Sequence, residues 1–189
     1  MPNFLPAMAV LLALTALPAQ AASYRFDPDH TYPLFEIDHL GFSTQRGQFD
    51  RVRGTLEFDT VQRSGSLEVV IDATSLDSGN DARDAILKGP GWFDVERFPT
   101  LVFRSQRFVF ENERLVAIEG ELTLLGVTQP LRIDVARFKC GFNLASRKRT
   151  CGADASATLL RSRFGMNTGL PFVGDEVRLR IQAEASLQN

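Results

Sequence analysis

Only two cysteines, two histidines, one tryptophan and two tyrosines occur in the 189 residues, and no charged residue occurs in the first 21. Each scarcity excludes something. With His30 and His39 alone, and no GxSxG elbow, there is little from which to build a nucleophile–base pair. Gly89-Pro-Gly91 lacks the Lys-Ser/Thr that a phosphate-cradling loop needs. Cys140 and Cys151 are not spaced as CxxC and have no histidine nearby, which argues against a metal site and against a redox-active pair. A formal charge of -2, from 21 basic and 23 acidic residues, gives no electrostatic case for nucleic acid or an acidic membrane surface. The apolar run Ala7–Leu17, broken only by Thr15, has 11 residues and is too short to cross a bilayer.

That run is nevertheless informative. Pro18 follows it, and Ala19-Gln20-Ala21 supplies the small-x-small pattern that a signal peptidase accepts. The expectation is a secretory signal peptide over residues 1–21, cut after Ala21 or Ala22. The amino terminus is its only positive group, since no Lys or Arg precedes the run. Residues 22–189 then form one exported domain, long enough for a sizeable core. An even cysteine count in an exported chain favours a Cys140–Cys151 disulfide. Closing so short a loop is worth about 3 kcal/mol.

The body has the rhythm of strands. Leu67, Val69 and Ile71 share one parity, as do Leu56 and Phe58. Val177-Arg-Leu-Arg-Ile-Gln-Ala-Glu-Ala-Ser-Leu187 alternates without interruption, the period-2 signature of a strand with one wet face. Leu131–Val135 repeats the pattern, and 23–26, 34–40, 101–110, 115–124 and 154–160 are further candidates. Ser78–Lys88 breaks the rhythm: acids stand early and a lysine late, Ser78 or Asn80 can cap its start, and Gly89-Pro90 ends it. A second short turn covers Trp92–Arg97, and Gly126 and Pro130 flank a hairpin-like turn. Eight or more one-faced strands close most simply into an antiparallel barrel or a two-sheet sandwich. Periodicity leaves open whether the inward side chains fill a core or line a tunnel.

Parity nominates the interior residues. They are Phe35, Ile37 and His39 in one strand, and Leu56 and Phe58 in the next. Leu67, Val69 and Ile71 follow, and Val177, Leu179 and Ile181 lie near the C-terminus. His39 reads more readily as a hydrogen-bonded interior residue than as a base, although it could contact a ligand head group. His30, after Asp27-Pro-Asp29, belongs to turn chemistry. Arg147-Lys-Arg149, between the cysteines, reads as a solvated loop tip, with phosphate or lipid-surface contact as the alternative. Fourteen phenylalanines lie beyond the leader, a usage that suits an apolar lumen as well as an ordinary core.

Several segments, in order, carry a resemblance. They run from Phe35-x-Ile-x-His-Leu-Gly-Phe42 through Gly47-x-Phe49, Gly54-Thr-Leu-x-Phe58 and Ser75-Leu-Asp77 to Asp81-Ala-Arg-Asp84. Trp92-Phe-Asp94, Phe98-Pro-Thr100 and Phe103-Arg-Ser105 continue the series. Gly120-Glu-Leu-Thr-Leu-Leu-Gly-Val-Thr-Gln-Pro130 is the most specific single piece. Cys151–Ala157, Phe164-Gly-Met166 and Gly174–Val177 complete it. The chain resembles the YceI-like family of exported bacterial proteins, in its cysteine-containing branch. That resemblance implies an all-β, extended lipocalin-like antiparallel barrel of about eight strands with one helical insertion packed on it. It implies a carrier that holds a polyisoprenoid lipid, an isoprenoid quinone or a polyprenyl phosphate, in an apolar lumen. It supplies no catalytic residue, no metal and no cofactor beyond the bound lipid. Transient contact with the membrane or a membrane cytochrome, and a homodimer, are the accompanying partner expectations. The rivals are an enzyme acting on an isoprenoid lipid, with His39 as its acid–base group, and a stress-response partner of quinone-using cytochromes.

Overall fold

The structure, a computed structural model, describes residues 21–188; the expected signal peptide, but for Ala21, lies outside the described residues. Eleven strands are present: β1 (Ala22–Phe26), β2 (Tyr32–His39), β3 (Ser43–Phe49), β4 (Val52–Asp59), β5 (Ser64–Asp72), β6 (Leu76–Asp77), β7 (Thr100–Glu111), β8 (Arg114–Leu124), β9 (Val127–Asn143), β10 (Lys148–Leu160) and β11 (Val173–Leu187). Among the described residues one α-helix, α1 (Asp81–Lys88), stands between β6 and β7. Asn80 caps it by accepting the Arg83 N–H at 2.9 Å, and Gly89 ends it.

Eight strands close a ring in the order β1-β4-β5-β7-β8-β9-β10-β11, with β11 returning to β1. The fold is therefore the all-β closed antiparallel barrel expected. β11 has two successive partners on one side: Ala185–Leu187 pair with β1, whereas Val177–Gln182 pair with β2. β3 pairs with β2 and, at Gln48 and Phe49, with β6. The wall thus splits at the end where β2 turns into β3, and α1 with the 89–99 turns covers the gap left beyond β6.

Alternation accounts for this closure. Inward residues of β11 and β5 are apolar, while their outward neighbours are charged or polar except for Val70. Cross-strand ion pairs lace the wet face, among them Glu36–Arg46 at 2.9 Å, Glu68–Arg104 at 2.7 Å and Glu119–Arg132 at 2.7 Å. Exposed pairs of this kind contribute little stability but set register. Arg46, by its hydrogen bond, holds the Glu36 carboxyl below its ordinary range against the opposing effect of burial.

Three departures from the sequence reading have physical causes. β3 carries Ser43-Thr-Gln-Arg46, too polar to alternate, because only one long neighbour pairs with it and its outer half is wet. Pro130 is not in a turn: Leu125-Gly126 make the turn and Pro130 lies inside β9 opposite Glu121. Lys148 and Arg149 open β10 rather than lying in a loop, so the cysteines face each other in register across a hairpin, Cα–Cα 4.0 Å, joined by a disulfide.

Candidate functional site

Two apolar clusters divide the barrel interior. At the end where β1 begins and β11 stops, Tyr24, Leu56, Phe58, Cys151 and Ala185 are buried together with Phe108, Phe110 and Phe138 packed on them. Phe58 centres this plug, its ring 5.9 Å from Phe108, 6.4 Å from Phe110 and 5.4 Å from Phe138. Such aromatic contacts are dense and specific. At the other end, Phe49, Leu76, Leu101, Phe103, Leu122, Leu131 and Phe164 form a second cluster against α1 and the Trp92-Phe93 turn.

Along the barrel between and beside these clusters runs a cavity of about 350 Å³. That volume falls within the range of small-molecule sites. Ten of the eleven residues nominated by parity line it: Phe35, Ile37 and His39 on β2, Leu56 on β4, Leu67, Val69 and Ile71 on β5, and Val177, Leu179 and Ile181 on β11. Phe58 does not. It faces inward as parity requires, but it lies in the plug, packed among Phe108, Phe110 and Phe138. Parity fixes the face of a strand and not the depth along the barrel axis.

The wall is apolar over most of its length. Thr31 is one polar exception, and its hydroxyl is satisfied by the Glu184 carbonyl at 3.2 Å. The remaining polar side chains of the wall, His39, Gln45, Arg46, Arg83 and Arg161, gather at the α1 end. Ile86 on α1 also lines the cavity while remaining exposed, so the lumen reaches the surface there. Leu40, Phe42 and Phe172 are exposed at the same end, and the Leu40 N–H donates to the Phe172 carbonyl at 2.8 Å.

Two of the three arginines at this end, Arg161 and Arg83, differ in character. Arg161 is one per cent exposed and spends its donors on four backbone carbonyls: Gly174 at 2.8 Å, Met166 at 2.8 Å, Thr168 at 2.9 Å and Val173 at 2.9 Å. Its guanidinium also stands 5.2 Å from the Trp92 ring centroid. Burial pushes its pKa down and the nearby Asp175 carboxylate opposes that. Arg161 therefore pins the 161–174 segment over the barrel end. Arg83 is half-buried; its Nε donates to the Ser78 hydroxyl at 2.8 Å and its terminal nitrogens to the Gln45 side chain at 2.7 Å and the Ser78 carbonyl at 2.5 Å. Asp84 accepts from the Ser78 backbone N–H at 2.9 Å and from its hydroxyl, closing a small network beneath the mouth.

Sequence reasoning missed the opposite wall: Leu101, Phe103, Leu122, Leu131, Ile133 and Ala155. Their parity was legible in 101–110, 115–124 and 131–135 and could have nominated them. Trp92, Phe93 and Arg83 had no periodic signal. Phe35 owes its position to Gly47 directly across the β2–β3 ladder: a Cβ there would collide with the Phe35 ring, so glycine alone lets the ring lie flat against the wall. Among the described residues no group of three or more His, Cys, Asp or Glu is arranged to hold a metal, and no helix is long and apolar enough to cross a membrane.

Comparison with known proteins follows the geometry. Residues 24–185 match the family model of the YceI-like domain. A UPF0312 protein of Pseudomonas aeruginosa is 34% identical over 188 residues, covering 97% of each chain. Protein YceI of Salmonella arizonae is 32% identical over 180 residues, 94% of this chain and 93% of its own. Among solved structures, Burkholderia cenocepacia BcnA superposes with a TM-score of 0.71 at 23% identity, over 84% of this chain and 98% of its own. A polyisoprenoid-binding domain from Saccharophagus degradans, implicated in plant cell wall breakdown, gives 0.65 at 12% identity over 89% of this chain and 99% of its own. At these identities the structural matches establish a shared fold.

Proposed function

The chain belongs to the YceI-like domain family, and from that premise we propose that it is a periplasmic carrier that holds a polyisoprenoid lipid in its barrel lumen without covalent chemistry. The observation that carries the proposal is the lumen itself, about 350 Å³, apolar along its length but for Thr31, with its other polar side chains gathered at the α1 end. A long apolar tail with a small polar head has that same division. The structural likeness to a polyisoprenoid-binding domain supports the choice of tail. Residues 1–21 act in this proposal as the export signal, and residues 22–189 as the lipid-binding domain.

Energetics suit such a cargo. Each buried methylene is worth about 0.8 kcal/mol, so a few isoprene units suffice to hold a water-insoluble chain. Longer tails do not add without limit, because tail ordering and incomplete burial offset the gain and affinities saturate near about -18 to -21 kcal/mol. The ten lining residues nominated above are the ligand-binding set, with His39 beside the head group. The test is native mass spectrometry and lipid extraction of protein purified from its own envelope. Recovery of an isoprenoid quinone or polyprenyl phosphate at near one per barrel is the expected result. A barrel that emerges empty and takes up no isoprenoid added in detergent would end the proposal.

A further inference from the structure

The β9–β10 hairpin is set apart from the rest of the molecule by charge, exposure and position. No acidic residue lies between Asp134 and Asp154, whereas Arg137, Lys139, Arg147, Lys148 and Arg149 all do. Since the whole chain carries -2, removing these five positive charges leaves the remainder at -7. Among the described residues only Arg137 of the five has an ion-pair partner, Asp154 at 2.6 Å. The acids of the neighbouring β7–β8 turn are already engaged, Glu111 by Arg114 at 3.3 Å and Glu113 by Arg63 at 3.1 Å.

Position reinforces charge. The last β8–β9 pair is Ala117 with Asp134, and the last β10–β11 pair is Thr150 with Ser186. Phe142 and Asn143 therefore pair only with Arg149 and Lys148, and the hairpin projects beyond the barrel. Its tip displays two large apolar side chains, Phe142 at 63% exposure and Leu144 at 84%. The disulfide ties the base of the projection to buried Cys151.

We propose that this hairpin docks the protein on the surface of an anionic phospholipid bilayer, Phe142 and Leu144 entering the headgroup layer while Arg147, Lys148 and Arg149 meet lipid phosphates. Cations around an apolar tip match that boundary, where phosphates lie just above hydrocarbon. A nucleic acid or an acidic protein would satisfy the cations and leave Leu144 in water. The inference does not depend on what fills the lumen.

Its test is co-sedimentation of the mature, disulfide-intact protein with vesicles of phosphatidylcholine alone and of phosphatidylcholine with one quarter phosphatidylglycerol. Binding is expected to the anionic vesicles and to be lost in high salt. The triple variant Arg147→Gln/Lys148→Gln/Arg149→Gln should bind them on the order of 100-fold more weakly. Leu144→Trp should shift its emission to the blue on anionic vesicles. All four positions are exposed, so circular dichroism should match the wild type. Equal binding to neutral vesicles, an unaffected triple variant, an unshifted Leu144→Trp, or tighter capture of polyglutamate or a DNA duplex than of anionic vesicles would each overturn the proposal.

Discussion

Ala155 faces the lumen from β10, between Val135 of β9 and Ile181 of β11, and enlarging it separates a cavity from a packed core. Ala155→Leu adds three carbon atoms to a wall that borders about 350 Å³ of free space. Burying three methylene equivalents is worth about 2.4 kcal/mol at most, and side-chain ordering reduces that, so the empty protein should gain about 1–2 kcal/mol of stability. The same atoms displace part of the tail. A bound isoprenoid loses a comparable burial, which weakens binding by about 2 kcal/mol, or roughly 30-fold. The signature is opposed signs: a higher urea midpoint for the delipidated protein, and a weaker isotherm for lipid uptake. If the interior were filled, the leucine would overpack it and cost about 1–3 kcal/mol. A lower urea midpoint with unchanged uptake would therefore refute the assignment of this space as a ligand cavity.

Other perturbations reach different parts of the barrel. Arg161→Met leaves the Met166, Thr168, Val173 and Gly174 carbonyls without their donor and should cost at least about 4 kcal/mol in denaturant unfolding; a loss below about 1 kcal/mol would contradict the pinning role. Cys140→Ser with Cys151→Ser should lower stability by about 3 kcal/mol, and reductant should reproduce the loss in the wild type but not in the variant. His30 is hydrogen-bonded to Asp27 at 2.9 Å, which raises its pKa, so its contribution to stability is present below its ordinary value near about 6.5 and is lost as pH rises through the folded value. Burial pushes the Asp27 carboxyl up, but the His30 and Asp29 hydrogen bonds win and hold it low, so its contribution is present above about 3.9 and is lost as pH falls. The pair thus acts together between those limits, and Asp27→Asn should lower the His30 midpoint in an NMR titration; an unmoved midpoint would dissolve the pair.

Most of the barrel was legible because its strands are one-faced. β11 shows clean alternation from Val177 onward because it buries one side against apolar neighbours and wets the other, and β5 follows the same pattern apart from Val70. The register shift between Asp154 and Ala155 then moves the inward set of β9 by one, so Phe138 faces inward although simple counting from Val135 would place it outside. Ring closure through β11 had no local signal, since β1 and β11 meet only after the whole chain is wound. Arg161 was invisible for another reason: its partners are backbone carbonyls, and any residue supplies a carbonyl. For the site, the lining residues of four strands were readable and the plug was not. Phe58 and Leu56 look equivalent in sequence, and only their depth along the axis distinguishes stopper from wall.

The aromatic stopper around Phe58 makes the tube blind, and a blind tube is a ruler. In the proposed carrier, a lipid would enter tail first and advance until its last isoprene unit met Phe108 and Phe138. Each added unit strengthens binding only while it still finds wall to cover. Beyond that depth, further units remain outside with the head. Under that proposal chain length would be measured by the protein, and the head would always be the end presented to whatever received the cargo next.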